Sequence, residues 1–174
     1  MKIFYKLFLI SIFIFDVNYA QSLKKSDFNI GLLKLDESIN LIIKNYGKPY
    51  KELIEEDDIY YYPNFTIWLN NMDNKINAFL IIHADKTLLI KLTIGDSLKK
   101  ILGLYGKPGN SGNKFDRFVG GYDYKFKDYS SYLDYSFKTN KFDSHFGEYI
   151  YWHIIFYIKK DIIVRILYFE EIFE

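Results

Sequence analysis

The chain has 174 residues, a formal net charge of +1 and no cysteine. The lack of cysteine excludes a disulfide framework and a lipid-modified N-terminal cysteine. The balance of basic and acidic residues argues against a general nucleic-acid binder, which needs a basic face. Stability must therefore come from a hydrophobic core, and a chain of this length can bury most of its unfolded surface as one compact domain.

The N-terminus has the layout of an export signal. Lys2 and Lys6 precede an apolar run over residues 7–15, and a short polar stretch then ends at Ala20. This order of charge, apolar core and small residue predicts a signal peptide over residues 1–20. The apolar run is shorter than the roughly 20 residues that span a bilayer as a helix. We expect a periplasmic or secreted protein without a stable membrane anchor after cleavage.

Two segments of the chain repeat one pattern. Residues 34–49, KLDESINLIIKNYGKP, align without a gap with residues 93–108, TIGDSLKKILGLYGKP. A repeated segment of this kind indicates that a structural unit has been copied. The sequence therefore predicts two related units, over residues 21–92 and 93–174, which share a single core.

Each copy carries the start and stop signals of a short helix. Ser38 and Ser97 precede apolar residues spaced by three and four, so each serine is placed to cap a helix. Gly47 and Gly106 follow the last apolar residue, where a left-handed residue often ends a helix. The predicted helices span residues 38–46 and 97–105. A helix this short is marginal alone, so we expect each one to lie on a sheet.

The remaining segments read as strands separated by turn residues. The predicted strands are Asn29–Lys34, Asp57–Tyr62, Phe65–Asn70, Lys75–His83, Lys86–Leu92, Arg117–Phe126, Ser130–Lys138, Glu148–Lys159 and Asp161–Glu170. Two segments, Gly109–Asn113 and Thr139–Gly147, read as flexible insertions. The predicted fold class is α+β, with two tandem modules. Each module is a short helix on an antiparallel sheet of three to four strands, and the two sheets join edge to edge into one curved sheet.

The segment Ile94–Pro108 resembles the helix segment of the BamE (SmpA/OmlA) and β-lactamase-inhibitor-protein-like superfamily. The structural positions that match are Tyr46, Gly47, Pro49, Tyr105, Gly106 and Pro108. The resemblance implies helices packed on antiparallel sheets and, in tandem members, a concave surface that grips another protein. The chain departs from these families because it has no cysteine for a lipid anchor or for disulfides. No inhibitory loop matches, so the resemblance does not imply β-lactamase inhibition.

Alternation along the predicted strands separates two sheet faces. The expected helix-covered side includes Ile59, Tyr61, Phe65, Ile67, Ile76, Ala78, Leu80, Ile82, Ile150, Trp152, Ile154, Phe156, Ile162, Val164 and Ile166. The expected partner-binding face consists of Tyr60, Tyr62, Trp68, Phe79, His83, Tyr149, Tyr151, His153, Tyr157 and Arg165. Tyr, Trp and Arg dominate interface hot spots, although aromatic residues are also ordinary sheet formers.

Sequence signals for catalysis are weak. The histidines His83, His145 and His153 are isolated, and no motif places metal ligands at a useful spacing. Strand pairing could join His153 to Asp134 and Arg165, but a lone strand histidine is more often structural. The acidic run over residues 55–58 suits a solvated strand entry, with Ca²⁺ binding as the alternative. We expect no enzyme activity, no cofactor and no metal.

The sequence therefore predicts an exported, non-enzymatic binding protein that presents an aromatic sheet face to a protein partner. The partner could make it an inhibitor, an immunity factor or an envelope-assembly component. The alternative is a small-molecule or glycan-binding protein, because stacked aromatic rings also suit sugars and apolar ligands. A hydrolase is the third hypothesis, and no nucleic acid partner is expected.

Overall fold

The structure is a computed structural model that describes residues 23–54, 58–70, 73–84, 88, 91–113, 128–143 and 148–172. The signal peptide predicted over residues 1–20 lies outside the described residues. The helical elements are a 3₁₀ helix, Lys25–Phe28, and the α-helices α1, Ile39–Tyr46, and α2, Leu98–Tyr105. The strands are β1 (Asn29–Ile30), β2 (Leu33–Lys34), β3 (Lys51–Ile54), β4 (Asp58–Tyr61), β5 (Phe65–Asn70), β6 (Lys75–Ile81), β7 (Asn110–Asn113), β8 (Ser131–Asp143), β9 (Glu148–Lys159) and β10 (Ile162–Ile172).

Most strands belong to one antiparallel sheet. Its eight strands lie in the order β3-β4-β5-β6-β10-β9-β8-β7, and β1 and β2 form a separate two-stranded ribbon. The last strand, β10, therefore lies in the middle of the sheet. It pairs with β6 from Ile166 opposite Ile81 to Phe169 opposite Ala78. On its other side it pairs with β9 along most of its length.

The predicted α+β class with two tandem modules is wrong. Strands dominate the described chain, while the α-helices have only eight residues each. Main-chain pairing between β6 and β10, the expected edge-to-edge join, makes one continuous sheet over a hydrophobic cluster that spans both halves, so two separate modules are not clearly distinguished. The pattern shared by residues 34–49 and 93–108 covers little more than a helix and its ends. It therefore carries no information about the long strands that define the architecture.

Both predicted helices are confirmed. The Ser38 side chain accepts a hydrogen bond from the Asn40 N–H at 3.3 Å, and the Ser97 side chain accepts one from the Lys100 N–H at 3.3 Å. Each helix ends at a glycine with positive φ, at +79° for Gly47 and +72° for Gly106. These are local interactions, which explains why the sequence pattern predicts them.

A tyrosine from the sheet holds the carboxyl end of each helix. The Tyr62 hydroxyl donates to the Gly47 carbonyl oxygen at 3.1 Å, and the Tyr135 hydroxyl donates to the Gly106 carbonyl oxygen at 2.8 Å. Carbonyl groups at a helix end have no partner within the helix. The two tyrosines therefore supply hydrogen bonds to the helix ends and fix the helices to the sheet.

The segment before α1 differs from its prediction as a single strand over Asn29–Lys34. It forms the β1–β2 ribbon, which turns at Gly31 with a φ of +61°. The 3₁₀ helix before it buries Phe28, whose ring lies 5.4 Å from the ring of Trp152 and 6.4 Å from the ring of Tyr168. The segment is thus part of the core, on the side of the sheet that carries the helices.

Two edge strands were not predicted. The segment Gly109–Asn113, predicted to be a flexible insertion, contains β7, which pairs with β8 although its side chains are polar. The strand β3 pairs with β4 at the other edge. A polar edge strand such as β7 lacks the apolar alternation on which a sequence prediction relies. The predicted strand Arg117–Phe126, and most of Lys86–Leu92, lie outside the described residues.

Hydrophobic residues cover both faces of the sheet. On the helix face, which packs against α1 and α2, the core joins Ile42 and Ile101 of the helices to strand residues such as Ile67 and Ile154. On the opposite face a second cluster includes Trp68, Ile155 and Leu167. Within the described ranges, both faces of the sheet therefore carry clusters of buried apolar residues.

Candidate binding site

Part of the predicted partner-binding face lies on the wrong side of the sheet. Tyr60, Tyr62 and Phe79 pack in the core of the helix face. In the β4–β5–β6 ladder, Tyr60 is opposite Ile67, and Ile67 is opposite Phe79. Directly opposed residues of neighbouring strands share a face, so these three side chains point toward the helices.

For Phe79, the change of face has a physical cause, which is a β-bulge in β6. Between Trp68 and Leu69 the register of β5 against β6 shifts, so that Trp68 is opposite Ala78 whereas Leu69 is opposite Ile76. The extra residue, Asn77, breaks the alternation of β6, and a shift of one residue moves side chains to the other face. Ala78, Leu80 and Ile82, predicted to face the helices, therefore lie in the opposite-face cluster. The same cluster holds Ile59 and Tyr61 of β4 and Val164 of β10, which this bulge does not affect.

Several predicted residues do lie on the opposite face, but they are buried there. Trp68 is only 2% exposed, and His153 and Tyr157 are also buried. The ring of Tyr129 lies 4.7 Å from that of Tyr157, so the segment before β8 covers this part of the sheet. These side chains contribute to a second core and are not available to a partner in this structure.

A buried histidine is held between two carboxylates on the opposite face. His153 Nδ1 lies 3.0 Å from Asp134 Oδ1, and Nε2 lies 3.3 Å from Glu171 Oε2. The imidazole also stacks on the Phe169 ring at 4.8 Å. The predicted approach of His153 to Asp134 is therefore present. The two carboxylates fix the orientation of the imidazole, and the His153 side chain is only 4% exposed.

Arg165 does not join that histidine as the sequence suggested. Its guanidinium donates to Asp128, with distances of 3.2 Å from Nε to Oδ1 and 2.8 Å from Nη2 to Oδ2. This two-point contact attaches the segment before β8 to β10. Arg165 thus has a structural role here, through the bidentate geometry that suits arginine and carboxylate.

Two accessible predicted residues, Tyr149 and Tyr151, lie near the end of the β8–β9 hairpin, beyond the last residue pair between β6 and β10. We define the hairpin patch as Lys138, Phe142, Tyr149 and Tyr151. Phe142 is 55% exposed and Tyr149 is 44% exposed. Their rings are 5.3 Å apart in a T-shaped arrangement, and Lys138 Nζ lies 3.5 Å from the centroid of the Tyr149 ring. His83, in contrast, is exposed after the end of β6.

A bulge in β8 builds the hairpin patch. Lys138 is opposite Tyr151, and the next paired residue, Phe142, is opposite Tyr149. The intervening Thr139 donates to the Ile150 carbonyl oxygen at 2.8 Å and accepts from the Lys141 N–H at 3.1 Å. The bulge places Phe142 beside Tyr149. The sequence missed Phe142 because it lies in the predicted insertion over residues 139–147.

A small cavity lies on the helix face, near the 3₁₀ helix. It has a volume of about 110 Å³, and its lining includes Asp27, Lys91, Tyr105, Phe156 and Tyr168. The Asp27 side chain is almost fully buried and pairs with the Lys91 ammonium group. No sequence signal marked this site, because Asp27 and Lys91 are 64 positions apart in the chain. Tyr105 had been noted only as part of a helix end.

The two tyrosines of the cavity resist ionisation. Burial, followed by the charge of Asp27, raises the pKa of the Tyr105 hydroxyl above its ordinary value. Burial also raises the pKa of Tyr168, with smaller contributions from Tyr105 and Asp27. Both hydroxyl groups therefore stay protonated at neutral pH. They surround the carboxylate with neutral, polar groups.

Among the described residues, no cluster of three or more His, Cys, Asp or Glu side chains could hold a metal ion. Most of the acidic run over residues 55–58 lies outside that part of the chain. None of the helices in the described ranges is both long and apolar enough to cross a membrane.

Comparisons with family models, curated proteins and solved structures return no match to this chain. The superfamily resemblance of Ile94–Pro108 therefore stays an expectation from the sequence.

Proposed function

We propose that this chain is an exported, non-enzymatic protein that binds a protein partner through the hairpin patch. The observation that carries the proposal is the pair of exposed rings, Phe142 and Tyr149, at the end of the long β8–β9 hairpin. Tyr149 and Tyr151 are also members of the partner-binding face predicted from the sequence. The other residues of that face are buried or lie elsewhere. The proposed binding surface therefore keeps only Tyr149 and Tyr151 of the residues predicted from the sequence.

The hairpin patch has the chemistry of an interface anchor. Exposed aromatic rings release a large apolar area from water when a partner covers them, and such residues dominate measured hot spots. A stable interface buries about 800 Å² on each partner, which is more than two rings can provide. The patch therefore acts as the centre of a larger contact, and the surrounding polar residues of β8 and β9 form its rim.

The geometry of the patch favours a protein over a glycan. A sugar stacks on the flat face of an aromatic ring, but Lys138 Nζ already lies over the Tyr149 ring at 3.5 Å. The Phe142 ring approaches Tyr149 at an interplanar angle of 72°, which leaves no flat two-ring platform. An edge-to-face pair suits the insertion of an apolar side chain from a protein partner instead.

The test compares variants of residues 21–174 as bait for proteins of the exported fraction. The double variant Phe142→Ala with Tyr149→Ala removes the patch. Tyr50→Ala is the matched control, because Tyr50 is an aromatic residue that is 68% exposed outside the patch. We expect one defined protein to co-purify stoichiometrically with the wild type and with Tyr50→Ala, and to be lost with the double variant.

The proposal fails if the double variant keeps its circular dichroism spectrum and captures the same proteins as the wild type. It also fails if a glycan array binds the wild type but not the double variant, since the ligand would then be a sugar. Export has a separate test, because N-terminal sequencing of the protein recovered outside the cytoplasm should begin at Gln21. Recovery of the intact chain with Met1 would contradict the predicted signal peptide.

A further inference from the structure

The cavity beside the 3₁₀ helix contains a carboxylate that is committed to an ammonium group. The Asp27 side chain is 1% exposed. Its Oδ2 accepts a hydrogen bond from the Lys24 N–H at 2.8 Å, and its Oδ1 contacts Lys91 Nζ. A buried charge without a partner is costly, so the ammonium group of Lys91 stabilises the ionised Asp27 side chain.

The cation is supplied by a side chain that reaches in from the surface. The Lys91 side chain is 48% exposed. A lysine side chain is long and flexible, and its ammonium group is strongly hydrated. Lys91 can therefore leave the cavity for solvent if another cation takes its place on Asp27. The fixed part of the site is the carboxylate, and the exchangeable part is the ammonium.

Aromatic rings form the walls around the carboxylate. Tyr105, Phe156 and Tyr168 line the cavity together with apolar side chains. Aromatic walls combined with a carboxylate attract organic ammonium groups, because the ring faces carry partial negative charge. The volume of about 110 Å³ compares with about 30 Å³ per water molecule in the liquid. The space therefore admits a ligand of about four non-hydrogen atoms.

We propose that this cavity is a binding site for a small primary alkylammonium ion, which replaces the ammonium group of Lys91 on Asp27. The alkyl chain would lie against Tyr105, Phe156 and Tyr168. An anion does not fit the site, because it would have to be buried next to the Asp27 carboxylate. The raised pKa values of Tyr105 and Tyr168 agree with an environment that opposes negative charge. This site is separate from the hairpin patch.

The test removes the internal ammonium group and supplies an external one. Lys91→Ala is titrated with ethylammonium and propylammonium, with calorimetry and thermal unfolding as readouts. We expect saturable binding at least tenfold tighter than in the wild type, and a thermal midpoint that rises with ligand concentration. Acetate should not bind, because it is an anion.

Two further variants make the result specific. Lys100→Ala is the matched control, because Lys100 has the same side-chain exposure as Lys91 and its ion pair with Asp96 lies outside the cavity. It should respond to alkylammonium ions no more strongly than the wild type does. Adding Asp27→Asn to Lys91→Ala should abolish binding. The proposal is overturned if folded Lys91→Ala shows no saturable binding, or binds equally well with Asn at 27. It is also overturned if unfolded Lys91→Ala is not rescued by propylammonium.

Discussion

Trp68 is the residue at which the sequence and the structure make opposite predictions. An open aromatic face would make Trp68 a partner contact, and its replacement by alanine would then leave stability almost unchanged. In the structure the side chain is 2% exposed, between Ile59 and Ala78 of the neighbouring strands. Removal of a buried tryptophan side chain costs about 3–5 kcal/mol of unfolding free energy. We therefore expect Trp68→Ala to be strongly destabilised.

The expected loss of melting temperature for Trp68→Ala can be compared with the loss caused by removing an exposed aromatic ring. A loss of 1 kcal/mol lowers the melting temperature of a protein of this size by about 2–4 °C, so Trp68→Ala should lose roughly 6–20 °C. Tyr149→Ala removes only an exposed aromatic pair and a cation–π contact, each worth about 1 kcal/mol. Its melting temperature should fall by only a few degrees.

Far-UV circular dichroism during heating and during urea titration measures both variants without relying on tryptophan fluorescence. The urea midpoint should fall far more for Trp68→Ala than for Tyr149→Ala. If Trp68→Ala retained the wild-type midpoint, the second core on the opposite face would be refuted. The open aromatic face predicted from the sequence would then regain its support.

Two further predictions concern polar contacts. Tyr135→Phe removes the hydrogen bond to the Gly106 carbonyl oxygen and should cost about 1 kcal/mol at neutral pH. Burial raises the pKa of Tyr135 to about 12, so its stabilisation is complete below the unfolded-state pKa near 10 and is lost as pH rises toward 12. Urea midpoints between pH 9 and 12 should fall less steeply for Tyr135→Phe; parallel profiles would contradict this. Arg165→Lys breaks the two-point contact with Asp128 and should cost about 1 kcal/mol. In a double-mutant cycle with Asp128→Asn, additive losses would show that the contact contributes nothing.

Local structure was predictable from the sequence where local interactions determine it. The caps at Ser38 and Ser97 and the glycines that end both helices act within a few residues, and the two helices are confirmed. Long strands such as β9 carry continuous apolar sequence and were also predictable. The overall class was not predictable, because the repeated helix signals carry no information about the long strands that dominate the described chain.

The faces of the sheet were less predictable, because they depend on register. The bulge at Asn77 adds one residue to β6, and no feature of the sequence near Ile76 or Ala78 reveals it. A similar shift in β10, between Ile163 and Arg165, changes the face again. Alternation rules assume that every residue pairs, so one unpaired residue reverses the assignment of all those that follow.

The candidate sites likewise include features that the sequence predicts and features that it does not. Strand alternation alone places Tyr149 and Tyr151 on one face of β9, and in the structure they lie opposite Phe142 and Lys138 respectively. The cavity could not be predicted, because Asp27 and Lys91 belong to segments that are distant in sequence and meet only after folding. A sequence places a charged residue near solvent by default. Only tertiary structure shows that Asp27 is buried.

The position of β10 has a consequence for how the protein is made. β6 and β9 flank β10 in the sheet, yet β10 follows both of them in the chain. When the chain has been synthesised only up to residue 161, the edges of β6 and β9 lack the strand that joins them. Unpaired strand edges promote aggregation. A premature stop codon before Ile162 would remove the central strand of the sheet. Such a truncated product should therefore fail to assemble, although it would lack only a small fraction of the residues.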